Sequence, residues 1–301
     1  MTPSTVWGQW NAQPFLLVPL AFVVWLYGRG VRRLWRAGTV GRGVRRWQAG
    51  CFGAGMFAVL LALVSPVDAM AEALLSAHMA QHFLLIMVAA PLLVLGSPGV
   101  AFGAAVPVTW RRAAHRIGRA GAPRRIAHGF ASPVATWSLA LVALWAWHLP
   151  ALYDAALEHL PIHVLEHACF LGTALLFWWT AIAPSGRRRL YRGADVLYVF
   201  TGGFQGAVLG ALLVFASSPL FPFYSLARTG PWGLTPLSDQ QLAGAVMWVP
   251  SGIVSLLIAG MLFVRWLGAM ERAMRRAEGR ALVDVEGSVR AEGAHPTSVT
   301  P

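Results

Sequence analysis

Long apolar stretches recur along these 301 residues, and clusters of arginine separate them. A helix needs about 20 apolar residues to cross roughly 30 Å of hydrocarbon, and several of these stretches reach that length. Strict alternation of the kind that builds a membrane barrel is absent, so helices are the building unit. With 57% hydrophobic residues, 12% charged residues and a mean hydropathy of +0.58, the composition does not fit a soluble fold. Gly, Pro and Arg serve as punctuation and place seven spans near residues 11–27, 47–65, 78–96, 132–148, 161–183, 194–216 and 241–266. The expected fold is an all-α membrane protein, a seven-transmembrane helix bundle over residues 1–276. A disordered tail is expected over residues 277–301.

The net charge of +12 invites a nucleic-acid reading, which the position of each charge argues against. The chain has no lysine. Its arginines crowd the first connection (Arg29, Arg32, Arg33, Arg36, Arg42, Arg45, Arg46), the third (Arg111, Arg112, Arg116, Arg119, Arg124, Arg125), the fifth (Arg187, Arg188, Arg189, Arg192) and the tail, whereas the even connections hold only Arg228. Odd connections and the C-terminus share a side in a seven-span chain. The positive-inside rule therefore puts the N-terminus outside and the tail in the cytoplasm. Lipid headgroups are the expected partners of these loops, not nucleic acid. The N-terminal stretch lacks a basic flank and a small-residue cleavage site, so it reads as a retained first helix.

Fourteen tryptophans fall mainly near span ends, as an aromatic belt would place them. Cys51 and Cys169 lie on different helices at different depths, which disfavours a disulfide. Gly202, Gly206 and Gly210 repeat every four residues in the sixth span and permit close approach of a neighbour, either another helix of the same chain or a second copy in a homodimer. The longest outer connection, about residues 217–240, is rich in Pro, Gly and aromatics and is expected to pack as a lid.

Six of the nine histidines sit at span ends on the predicted outer side. His78 and His82 are four apart on one helix face, and Pro91 lies toward the inner end of the same span, clear of the pair. His163 and His167 repeat that spacing at the start of the fifth span, with His159 one turn earlier in the connection and Pro161 suited to the first turn. Glu166 faces about 100° away from His167 and would need another partner. His148 ends the fourth span, followed by Asp154 and Glu158. Asp239 opens the seventh span ahead of Gln240, Gln241 and Met247, and Asp68 and Met70 stand in the second connection.

Each has a plain reading. A single interfacial histidine commonly bonds a loop or a headgroup, which covers His148 and His159, and Asp154 falls with them. Asp239 suits an N-cap as well as a ligand or proton acceptor. Met70, Met79 and Met247 suit packing as well as ligation. The pairs His78/His82 and His163/His167 differ, because two paired motifs at matching depth would otherwise be costly buried polar groups. They point to a metal or cofactor. Imidazole suits copper or zinc, thioether favours Cu(I), and the HExxH pattern of zinc hydrolases is absent. Two facing histidines can also ligate haem, and a proton or metal-ion transporter could use the same groups as a relay.

The segments HMAQHFLL (78–85) with APLLVLG (90–96), WHLPALYD (147–154), LEH (165–167) followed by FWW (177–179), and DQQLAGAVMWVP (239–250) resemble the CtaG family of caa3-type cytochrome c oxidase assembly proteins. The resemblance covers about residues 47–266. It implies a non-enzymatic membrane factor that helps place copper in the catalytic subunit of a haem–copper oxidase. His78, His82 and His167 stand inside the matching motifs, and His163, His148 and Asp239 follow. The two-cysteine motif of soluble copper carriers is missing, so weaker histidine ligation is expected, assisted by Met79 or Met247 and weakened further near pH 6 as imidazoles protonate.

Overall fold

The computed structural model describes residues 2–38, 40–117, 129–130, 132–183 and 193–293, with the backbone alone in 114–117 and 280–293. The expectations that rest on Arg119, Arg124, Arg125, Arg187, Arg188, Arg189, Arg192 and the last eight residues lie outside this range. The chain is all-helical, with no strand among the described residues. Its helices are α1 (Pro14–Arg36), α2 (Arg46–Leu63), α3 (Pro66–Ala71), α4 (Leu75–Phe83), α5 (Ala90–Leu95), α6 (Pro98–Ala105), α7 (Val108–Ile117), α8 (Pro133–Trp147), α9 (Pro150–Glu158), α10 (Leu160–Ile182), α11 (Ala194–Phe215), α12 (Leu226–Thr229) and α13 (Pro236–Gly293).

Six stretches are long and apolar enough to cross a membrane, with α4 and α5 counted as one, and α8 with α9 makes a seventh if that bent pair is one span. The bend is 76° and falls at His148-Leu149-Pro150, where proline disfavours helix in the residue before it. Several starts are proline-defined. Ser132 precedes Pro133 and accepts from Ala135 N, and Ser65 precedes Pro66 and accepts from Val67 N.

Three boundaries differ from the sequence reading. The first span runs over 14–36 instead of 11–27, so Arg29, Arg32, Arg33 and Arg36 belong to its last turns. Two of these arginines have a partner inside the protein: Arg33 donates to the carbonyls of Ala104 and Ala105, and Arg29 to Ala105, at the C-terminal end of α6, where exposed carbonyls favour a cation. The third connection contains α6 and α7. The last helix starts at Pro236 and continues past Arg276 to Gly293. Ala, Arg and Glu are strong helix formers, and the Glu271–Arg275 pair at 2.7 Å supports the helix locally.

Lipid tails are as apolar as leucine, so helix contacts in a bilayer rest on close packing and hydrogen bonds. Gly30 of α1 lies against Ala101 of α6 so closely that an added Cβ would stand 1.9 Å from the Ala101 carbonyl oxygen. Gly210 meets Gly244 of α13 in the same way, and Gly202 meets the Phe177 ring, so the glycine stripe of the sixth span is filled from within the chain at those two positions, while Gly206 faces open space. Thr136 of α8 contacts Thr180 of α10 at 3.1 Å and Tyr198 of α11 at 2.9 Å, a polar clasp between three helices. Both cysteines are free.

Between α4 and α5 lies a π-helical turn, Leu84–Ala89, just before Pro91. In such a turn the Ile86 carbonyl would pair with residue 91, and proline has no N–H to give. Trp178 of α10 supplies the donor instead, its Nε1–H reaching Ile86 O at 2.8 Å. That bond joins α10 to the span that carries His78 and His82.

Candidate metal centre

The N-terminus of α4 is held by a residue 164 positions away in sequence. The Asp239 carboxylate accepts from Leu75 N at 2.6 Å, Ser76 N at 3.2 Å and Ser76 Oγ at 2.5 Å. Asp239 thus caps another helix, not its own, and the cap of α13 falls to Thr235 and Ser238, which exchange hydrogen bonds. His78, in the first turn of α4, is thereby set at a fixed height, with His82 one turn further on at a ring separation of 4.5 Å.

Helix α10 brings the second set. His163 and His167 lie one turn apart with ring centres separated by 4.3 Å, and their rings approach those of α4: His78 lies 5.4 Å from His163 and 5.6 Å from His167, and His82 lies 5.4 Å from His167. Glu166 completes the group. Its Oε2 is 3.7 Å from His78 Nε2 and its Oε1 is 3.6 Å from His82 Nε2. One ligand atom each from His78, His163, Glu166 and His167 can be chosen so that all four lie within 4.8 Å of one another. Glu166 is the residue the sequence reading left without a partner. Counted from His163 it is i+3, so it and His167 straddle one stripe, and the order His-x-x-Glu-His carries the signal.

The buried polar atoms of this group are largely unpaired among the described residues. His78 Nε2, both ring nitrogens of His82, His163 Nε2, both Glu166 oxygens and His167 Nε2 are all buried and lack a hydrogen-bond partner among the described residues. Buried polar atoms are nearly always paired, and leaving one unpaired costs about 1–3 kcal/mol, more for a charged group. So many orphans converging on one point match the ligand set of an ion. His78 is also fixed in the tautomer that ligation requires. Tyr224 donates its hydroxyl hydrogen to Ala71 O at 2.8 Å, so at 3.2 Å it accepts from His78 Nδ1–H, which leaves Nε2 bare toward the cluster. Burial holds the Tyr224 phenol well above its ordinary pKa, so this hydroxyl stays a donor.

The remaining sequence-predicted residues divide. His148 is buried beside the group, its ring 5.9 Å from His82, with Nε2 3.4 Å from Met79 Sδ. Met247 packs in an apolar cluster with Met79, Leu75, Tyr153 and Phe221. Met70 packs near Trp232 and Leu234. His159 is exposed at the start of α10. Asp68 holds the scaffold, accepting from Gln81 Nε2 at 2.9 Å and Asn11 Nδ2 at 2.8 Å. The connection between α11 and α13 does form a cover: Phe221 packs on Tyr153 at 4.4 Å, Tyr224 reaches His78, and Arg228 lies over Phe223 at 3.9 Å while donating to Glu72 O.

A cavity of about 260 Å³ adjoins the cluster, its lining including His78, His163 and His167 together with Asn11, Asp68 and Glu72. A second hollow, about 460 Å³, shares Asn11, Asp68 and Glu72 with it. Asp68 and Glu72 thus line both spaces. Glu72 ionises above the ordinary carboxylate range, through desolvation at the cavity wall and the neighbouring Asp68 charge, with Arg228 opposing.

Fold and site together define a class: a multi-pass helical membrane protein that gathers imidazoles and one carboxylate at one end of its bundle. The profile of the cytochrome c oxidase caa3 assembly factor family (CtaG) matches residues 25–269, and the chain belongs to that family. It is similar to uncharacterized proteins of Mycobacterium bovis and Mycobacterium tuberculosis, each 26% identical over 269 residues, and to one of Mycobacterium leprae, 26% identical over 270 residues. These alignments cover 85% of this chain but only 39% of each relative. No solved structure matches the chain.

Proposed function

We propose that this assembly factor binds copper as cargo through His78, His163, His167 and Glu166, with His82 at the edge of the site, and passes it to the catalytic subunit of a haem–copper oxidase. The observation that carries this reading is the convergence of unpartnered buried nitrogens and carboxylate oxygens from α4 and α10. Imidazole with a carboxylate is a donor set suited to divalent copper, and affinities of divalent ions peak there. Without thiolates, neutral imidazoles hold the ion weakly enough for a better-formed oxidase site to win it. The arginine distribution supports an extracytoplasmic position for this end of the bundle, with the N-terminus outside and the C-terminus cytoplasmic.

The crowding argues against haem, because imidazoles at 4.3–5.6 Å on adjoining sides leave no slot for a flat macrocycle. A relay to the opposite face is disfavoured by the cluster of apolar residues beyond the site, among them Ala90, Val94, Phe177, Trp178 and Leu262. Zinc hydrolysis would need Glu166 as a free base, yet both its oxygens face imidazoles. Metal analysis of detergent-purified protein tests the proposal. Copper that co-purifies with the parent is expected to be lost from His78→Ala/His82→Ala and from His163→Ala/His167→Ala, with helicity by circular dichroism retained. Equal copper in all three proteins overturns it.

A further inference from the structure

His148 and Met79 stand outside the four-residue group and pose a separate question. His148 occupies the 76° bend after α8, and its Nδ1 is 2.7 Å from the carbonyl oxygen of Leu144. A carbonyl only accepts, so Nδ1 carries the hydrogen, and in the neutral ring Nε2 has a bare lone pair. That lone pair is aimed at Met79 Sδ, 3.4 Å away, and a thioether has no hydrogen to offer. Two acceptors thus face each other with nothing between them. An imidazolium would resolve the contact, but His148 is 7% exposed and has no carboxylate partner among the described residues, so its charge would be uncompensated. Packing explains why Met79 is buried. It does not explain a bare nitrogen placed on its sulfur.

We propose that Met79, His148 and His82 form a second, softer metal position beside the first, which takes a monovalent thiophilic ion of the Cu(I) class. This rests on the reading of the chain as a copper handler and specifies which ion the neighbouring position accepts. The spacing fits. Metal–nitrogen bonds of about 2.0–2.1 Å and metal–sulfur bonds of about 2.3 Å, opened to a tetrahedral angle, put the two donors ~3.6 Å apart, close to the separation found. His82 supplies the third donor: it is 3% exposed, lies three residues beyond Met79 on α4, and is without a partner at both nitrogens. Its Nε2 faces Glu166, which leaves Nδ1 uncommitted. Phe170 packs on His82 at 4.4 Å and lies 5.9 Å from His148, so the surroundings are dry and favour a low-charge ion with soft ligands over a divalent one. His82 borders both positions.

Silver(I), a redox-inert probe of the same charge and softness, tests the assignment in the detergent-purified full chain. Silver absorption spectroscopy is expected to show a sulfur neighbour in the parent and in His163→Ala/His167→Ala. Met79→Leu, close in volume to the native side chain, and His148→Gln, which can still donate to Leu144, are expected to lose that neighbour and to bind silver at least tenfold more weakly. Both should keep parental Cu(II) binding. Silver affinity in Met79→Leu equal to the parent, or a parental spectrum without sulfur, overturns the proposal. A sulfur-bound silver ion alongside Cu(II) binding that survives His163→Ala/His167→Ala would leave the second position standing and remove the first.

Discussion

Tyr224 touches no proposed cargo directly, yet it decides which nitrogen His78 presents, because its own hydrogen is committed to Ala71. Removing such an orienting partner typically costs 10–100-fold in metal affinity. Tyr224→Phe is therefore expected to weaken Cu(II) binding by at least about tenfold in a competition titration, with a much smaller effect on thermal unfolding; unchanged affinity would show that the tautomer is set otherwise. The histidine pairs could be read from the chain because four-residue spacing is a local property. Glu166 could have been, had the count run from His163 instead of His167. Tyr224 could not, since 146 residues separate it from His78 and only the folded connection joins them.

Hydropathy sees length and apolarity, so at the level of elements it found the long helices but ended the first of them nine residues early and missed the extension of the last. What escaped it were the short pieces that aim the spans: α3 and the π-helical turn whose freed carbonyl is met by Trp178. Neither carries a composition of its own. Helix contact is testable at the glycines of α11. An added methyl at Gly210 would stand 2.7 Å from the Gly244 carbonyl, while none meets anything within 4 Å at Gly206. Gly210→Ala should destabilise by about 1–3 kcal/mol, and Gly206→Ala should be neutral or stabilising by up to about 1 kcal/mol, both read from thermal unfolding in detergent. Altered oligomeric state on Gly206→Ala would instead identify that position as a contact with a second copy.

Over the whole molecule, two carboxylates, Asp68 and Glu72, line the cavity that adjoins the histidine cluster. Carboxylates there raise the local cation concentration and its rate of arrival, an effect of about tenfold or more at low salt. Because the Glu72 carboxyl is held above the ordinary range, its charge disappears at a higher pH than that of a free glutamate. Stopped-flow uptake of Cu(II) should be slower in Glu72→Gln than in the parent near neutral pH. The two rates should converge as pH falls, before a normal carboxylate would protonate, and equal rates at all pH values would show that ions arrive by another way.

The imidazoles of the cluster all lie in the first 167 residues, but the carboxylate that grips the start of α4 arrives only at position 239. During synthesis the ligands are thus in the membrane long before the clasp that sets their height. A nascent or truncated chain carries the imidazoles without the hydrogen bonds by which Asp239 grips the start of α4.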